Sequence, residues 1–226
     1  MNKALYFLSA LFLLASCGSK LNPYFGHKAI GYKHKLSKAT WRAYLTEEKN
    51  GEWVQGDLDW IYIVTFDEQG NLIGAESYDS EGQLTSRTAH FYLEKQRVKM
   101  TSYDSSGSPL GTRIFDQTAP DRYDFKEEDK ELLLGYVTFS NDYEADLRLI
   151  KEYSIKEGKD ILEYESHTTS TARSKKYYDE LENMIYETKN EFLEFNQYGD
   201  WTKALRFDEY EDQRDAHIII RVMEYK

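Results

Sequence analysis

Two stretches of this chain, Phe66-Asp67-Glu68-Gln69-Gly70-Asn71-Leu72-Ile73 and Tyr78-Asp79-Ser80-Glu81-Gly82-Gln83-Leu84, are copies of one pattern. An aromatic is followed by Asp, two variable residues, Gly, a polar residue and an aliphatic. The pattern returns at Tyr103-Asp104-Ser105-Ser106-Gly107 and at Phe195-Asn196-Gln197-Tyr198-Gly199-Asp200-Trp201. A copy at Tyr178-Asp179-Glu180-Leu181-Glu182-Asn183-Met184-Ile185 has Glu182 where the others have glycine. Weaker echoes start at Phe115, Phe139 and Tyr153. Each part of the pattern has a role in a β-hairpin. The aromatic ends a strand, where large rings pack well on a pleated surface. The Asp or Asn side chain accepts hydrogen bonds from the backbone that follows it. The glycine supplies the positive φ that closes a short hairpin loop.

The spacing predicts a meander. Copies that start twelve residues apart, as Phe66 and Tyr78 do, leave about seven residues of strand between turns, an ordinary strand length. Trp60–Phe66 and Ile218–Met223 are rich in β-branched and aromatic residues. Asn50-Gly51 is the favoured pair for a type I′ turn. Of three prolines, Pro23 precedes this region, Pro109 lies beside a turn and Pro120 falls in a connection. Ala172 to Lys189 is charged and glycine-free and can be drawn as a helix, but the alignment of Tyr178–Ile185 with Phe66–Ile73 favours strand. The predicted fold is all-β: an antiparallel meander of repeated hairpins in one curved sheet, forming an incomplete barrel or a sandwich, with a stacked-hairpin solenoid as a further possibility.

These copies resemble the tyrosine-aspartate repeats of Rhs and YD-repeat proteins. They are also similar to a group of outer-membrane lipoproteins whose hairpins end in Gly-Asp/Asn-Trp-Thr, here Gly199-Asp200-Trp201-Thr202. The resemblance runs from about Trp60 to the C-terminus and implies only local strand-turn-strand geometry.

The first seventeen residues carry a different signal. After Lys3 comes an apolar run from Ala4 to Leu14, then Ala15-Ser16-Cys17. That run is too short for a bilayer span, which takes roughly 20 residues, and suits the apolar region of a signal peptide. It resembles a bacterial lipoprotein signal. The resemblance implies cleavage before Cys17 and acylation of that residue, the chain's single cysteine. Gly18, rather than Asp, follows it, so the expected location is the outer membrane, lipid-anchored on its periplasmic face or at the cell surface. The expected organisation is a signal peptide over 1–16, a lipid-anchored basic tether over 17–38 and a single β domain over 39–226. Lys20, Lys28, Lys33, Lys35, Lys38 and Arg42 are unaccompanied by acid, whereas the whole chain has 40 acidic and 29 basic residues. An acidic body argues against nucleic-acid binding, which needs clustered positive charge.

No catalytic constellation emerges. The histidines at 27, 34, 90, 167 and 217 are never three or four residues apart, so no metal site or cofactor is expected. Ser166-His167 lacks a recognisable elbow or orienting group. Paired carboxylates such as Asp57 and Asp59, or Glu127, Glu128 and Asp129, define no cleft, and the turns lack the spacing of a calcium loop. Aromatics are the remaining resource: 19 Tyr, 11 Phe and 4 Trp. Most are expected in the core. If some form a binding surface, Trp201, Tyr198 and Asp200 are the first candidates and Trp53 and Trp60 the next. The expected function is non-enzymatic: a membrane-anchored protein presenting a β surface to an envelope protein or glycan. The alternative is a carrier holding a glycan or lipid in a rolled aromatic sheet.

Overall fold

A computed structural model describes residues 32–226, apart from 94–95, 129, 131, 143–146 and 211–213. Its strands are β1 (Leu36–Lys49), β2 (Glu52–Phe66), β3 (Leu72–Asp79), β4 (Leu84–Leu93), β5 (Gln96–Asp104), β6 (Pro109–Ala119), β7 (Arg122–Glu127), β8 (Gly135–Asp142), β9 (Leu147–Lys156), β10 (Lys159–Thr168), β11 (Ala172–Tyr178), β12 (Met184–Phe195), β13 (Trp201–Glu209) and β14 (Arg214–Tyr225). Each pairs antiparallel with its sequence neighbours.

The predicted turns form as the pattern requires. Asp67 Oδ1 accepts from the amides of Gln69 and Asn71, at 2.9 and 2.8 Å. Asp79, Asp104, Asp179 and Asn196 repeat the same two bonds to the second and fourth residues onward. Glu182, in the glycine slot of the degenerate copy, is itself forced to φ 60°. The region that could be drawn as a helix is two strands, β11 and β12, joined by that turn. The echo at Phe115 makes no turn, because β6 continues to Ala119.

The expected open sheet, incomplete barrel or sandwich is corrected: β1 pairs with β14 and the sheet closes into a 14-strand barrel. From Lys38 to Leu45 the seam is regular, with Thr40 opposite Val222, Arg42 opposite Ile220 and Ala43 opposite Ile219. Closure pairs the two edges that an open sheet leaves unsatisfied. The barrel also takes in the end of the segment expected to be tether. Tyr32 and Leu36 are fully buried, so the folded body begins before residue 39. Tyr32 fills one end of the barrel. Its ring meets Phe66 edge-on at 5.9 Å, and its hydroxyl accepts from Trp41 Nε1 at 2.8 Å. Cys17 and the rest of the signal region lie outside the described residues.

Strand alternation sorts side chains onto two faces. Arg173 of β11 and Tyr62 of β2 couple electrostatically although four strands lie between them around the wall. Their face is therefore the interior. On β6 to β9 that interior is apolar, with Phe115, Tyr123, Phe125, Val137 and Ile150 packed together. Gly135 is required there, since a Cβ would lie 2.7 Å from the Phe125 ring.

On β9 to β12 the outer face is charged, whereas on β13 and β14 it carries the apolar cluster Leu205, Phe207, Ile218 and Ile220. Register sets Lys151, Glu165, Lys176 and Glu187 side by side on four adjacent strands, alternating in sign. Lys151 pairs with Glu165 at 3.4 Å, and Lys189 bridges Glu187 and Glu209 at 3.3 and 2.6 Å. A lipid-facing barrel wall carries an apolar band, and a lysine at its midplane costs about 2–4 kcal/mol. This part of the wall is built for water.

Candidate ligand site at the barrel mouth

The end of the barrel opposite Tyr32 is shaped by one long hairpin. β14 pairs with β1 only as far as Leu45, and β3 pairs with β2 only from Trp60. Residues 46–59 therefore project past both neighbours as a two-stranded flap. The β1–β2 register slips at Ala43/Tyr44 and again at Tyr44/Thr46, and such bulges bend and twist a ribbon. Gly56 allows the bend: a Cβ there would lie 3.1 Å from the Leu45 carbonyl oxygen. Asn50 and Gly51 close the tip with φ of 55° and 84°. The flap leans onto β13 and β14, where Trp53 meets Phe207 at 5.6 Å and Thr46 donates to the Ala216 carbonyl at 2.7 Å.

Between flap and wall lies a cavity of about 560 Å³. Trp53 and Trp60 line it on one side, with Tyr186, Arg206, Asp208 and His217 on the other. Asp208 organises the polar wall. It accepts Arg206 Nε at 2.9 and 3.0 Å, Arg206 Nη2 at 2.7 Å and the Tyr186 hydroxyl at 2.5 Å. Burial alone would raise its pKa, but His217, Arg206 and Tyr186 outweigh that and hold it down at about 2. His217 Nε2 lies 3.0 Å from Asp59 Oδ2, and its Nδ1 lies 3.4 Å from Asp208 Oδ2, a contact too long for a good hydrogen bond. Asp208 draws the imidazole pKa upward, burial opposes the rise, and Asp59 adds to it.

Below the cavity the inner wall of β10 to β14 forms a ladder. One rung holds Tyr164, Tyr177 and Tyr186, the next Ser166, Lys175, Thr188 and Asp208, the next Thr168, Arg173, Asn190, Arg206 and His217. The tyrosines neighbour one another at 5.8 and 5.2 Å, and Tyr210 extends the series at 4.6 Å from Tyr186. Large polarisable rings beside fixed donors are what ligand-holding clefts use.

The structure divides the residues singled out from sequence. Trp53 and Trp60 both line the cavity. Trp201 is buried inside, stacked on Phe192 at 4.9 Å and covered by the Arg221 guanidinium at 3.6 Å. Asp200, also buried, fastens the chain ends by accepting from the Lys33 amide at 2.7 Å and the Tyr225 hydroxyl at 2.8 Å. Tyr198 sits outside this network, its ring 4.5 Å from Tyr225 and 5.1 Å from His34. The trio at 198–201 is thus part of the closed end, 14 strands' worth of closure having turned Trp201 inward. His90 is buried against Arg97, which with burial drives its pKa down to about 3. Ser166 bonds Arg173 Nε at 3.3 Å, while His167 faces outward beside Glu165. Sequence reasoning missed Arg206, Asp208, His217 and Tyr186 as a group; strand pairing alone brings them together.

Among the described residues no group of acids, histidines or cysteines has metal-binding geometry. No family model matches the chain, and no curated protein matches it. Among solved structures it is similar to a porin-like protein from Bacteroides uniformis, with 10% identity over 84% of this chain and 96% of that one, at a TM-score of 0.37. A Bacteroides fragilis protein of unknown function matches at 14% identity over 67% and 92%, with a TM-score of 0.18. At those scores neither likeness bears on what the barrel does.

Proposed function

We propose that this chain is a non-enzymatic carrier of the cell envelope, lipid-anchored through Cys17, that holds a small ligand at the barrel mouth under the β1–β2 flap. The observation that carries this reading is the cavity of about 560 Å³ walled by Trp53, Trp60, Tyr186 and Arg206. Its size falls within the range of small-molecule sites. The closed end supports the polarity of the arrangement. Tyr32 enters the barrel opposite the mouth, so an anchor at Cys17 would join the barrel at its closed end. The charged outer wall of β9 to β12 supports a barrel that stands in water on that side.

Binding, rather than catalysis, fits the polar groups. Both ring nitrogens of His217 face carboxylates, and Asp208 is saturated by Arg206 and Tyr186. A general base needs a free position to reach its proton; Asp208 spends its oxygens on Arg206 and Tyr186, and His217 Nε2 spends its own on Asp59. Native mass spectrometry of the full chain, extracted from its membrane in mild detergent, tests the reading. The wild type is expected to carry a small-molecule adduct that Trp60→Ala with Arg206→Ala abolishes. An adduct-free wild type, or one whose adduct survives in the variant, would overturn it.

A further inference from the structure

The wall below the mouth carries positive charge that the protein does not neutralise. Lys175 and Arg173 lie two residues apart on β11 and share its inner face. Among the described residues neither forms an ion pair. Lys175 Nζ rests over the rings of Tyr164 and Tyr177, at 4.8 and 5.8 Å, and Arg173 has one hydrogen bond, to the Ser166 hydroxyl. Glu152, the acid that Lys175 senses, is engaged by Arg113 at 3.2 Å. Deeper in the barrel, Arg221 is 3% exposed, and its Nε and Nη1 have no hydrogen-bond partner. Arg221 and Arg206 both couple electrostatically to Arg173, and Arg173 and Arg206 to Lys175, so the four cations gather on the inner face. Only Arg206 has a carboxylate partner, Asp208.

Buried charges are ordinarily paired, because taking an unpaired ion out of water costs several kcal/mol. The chain as a whole has a net charge of −11, yet these cations gather on the inner face of the barrel. Arg173 and Lys175 lie deep in the barrel but keep part of their surface accessible to water, as groups lining a space do. Burial, reinforced by Arg173, brings the Lys175 pKa down to about 7, a sign that its charge lacks compensation. The rung above is three tyrosines.

We infer that the ligand of this barrel is an anion bearing a ring: its carboxylate, sulfate or phosphate is bound by Lys175 and Arg173, and its ring lies along Tyr164, Tyr177 and Tyr186. This rests on the carrier reading and adds the ligand's charge to it. Arg206, which lines the mouth and neighbours this cluster, continues the positive path inward.

The test uses the full chain and two probes of one shape, naphthalene-1-sulfonate and the uncharged 1-naphthalenemethanol, titrated by tryptophan fluorescence at fixed ionic strength. The wild type is expected to bind the sulfonate at least about tenfold more tightly, the equivalent of one charge-assisted contact. Lys175→Met is expected to lose that preference, Lys175→Arg to keep it, and Lys151→Met on the outer wall to bind as wild type does. Removing an unpaired cation is not expected to unfold the barrel, and the melting temperature of Lys175→Met without probe checks this. Equal binding of both probes, or a Lys175→Met variant that keeps the preference, would overturn the anion site while leaving the carrier reading in place. Binding of neither probe also overturns the anion site, and the mass-spectrometric experiment then decides the carrier reading by itself.

Discussion

Asp59 and His217, 158 positions apart in the chain, meet at 3.0 Å where the flap leaves the barrel wall. The contact fixes the root of the flap over the cavity, and it makes flap attachment depend on pH. Asp208 first, and then Asp59, raise the folded-state pKa of His217 against its burial, so its contacts with these two carboxylates contribute fully below the unfolded value of about 6.5 and are lost as pH rises through the folded value. Wild type should exceed His217→Gln in stability by about 1–2 kcal/mol at pH 5, with the gap closing on the alkaline side. Urea denaturation of both proteins from pH 5 to 9 measures it. A gap that widens with rising pH would sink this account of the link. His90, depressed to about 3, tilts stability the other way below pH 6.5, but it is common to both proteins and cancels in the comparison.

The repeated turns make a paired prediction. Glu182 adopts φ 60° in the slot that glycine fills elsewhere, and glycine carries no Cβ penalty in that region. Glu182→Gly should therefore stabilise by about 0.5–1 kcal/mol, while Gly82→Val, from φ 79°, should destabilise by about 1 kcal/mol or more. Thermal melts that move both variants in the same direction would contradict the turn assignment.

Gly135 offers a sharper steric test. A Cβ at this position would lie 2.1 Å from the Tyr153 carbonyl oxygen and 2.7 Å from the Phe125 ring. Backbone on the neighbouring strand cannot yield as a side-chain tip can, so Gly135→Ala should cost about 1–3 kcal/mol. Gly111, with nothing within 4 Å of its Cβ direction, is the control, and Gly111→Ala should melt close to wild type.

Closure of the barrel can be read from amide hydrogen exchange. Thr40, Arg42, Ile220 and Val222 sit in the β1–β14 seam, where a sheet with free edges would leave amides unpaired. Protection at these positions comparable with that on β12 and β13 is expected. Rapid exchange along one side of the seam would restore the open-sheet picture.

What the sequence revealed follows from the range of the interactions involved. The Asp turns are local: five residues contain donor, acceptor and hinge, so even the copy lacking glycine, at Tyr178–Ile185, was legible and formed. Closure was not, because nothing near Thr40 points to Val222. Nor was the direction of Trp201: a strand that opens with Gly-Asp-Trp reads as a displayed ring, and only the full circle of strands puts it against Phe192. On β12, Tyr186, Glu187, Thr188, Lys189 and Asn190 alternate between faces that are both polar, so hydrophobic pattern does not separate inside from outside. That ambiguity concealed Arg173, Lys175, Arg206 and Asp208, whose significance depends on which face closes over the lumen.

A ligand held at the mouth is reported directly by the tryptophans. Trp53 and Trp60 line the cavity, Trp60 also packing on the edge of the buried cluster that holds Trp201 and Trp41, and neither Trp201 nor Trp41 lines the cavity. Fluorescence titration of wild type, Trp60→Phe and Trp201→Phe against a panel of envelope saccharides and organic anions is the decisive measurement. A saturable change that Trp60→Phe loses or greatly reduces, and that Trp201→Phe retains, is the expected result. A change that persists in Trp60→Phe and vanishes in Trp201→Phe would place the ligand elsewhere and contradict the account.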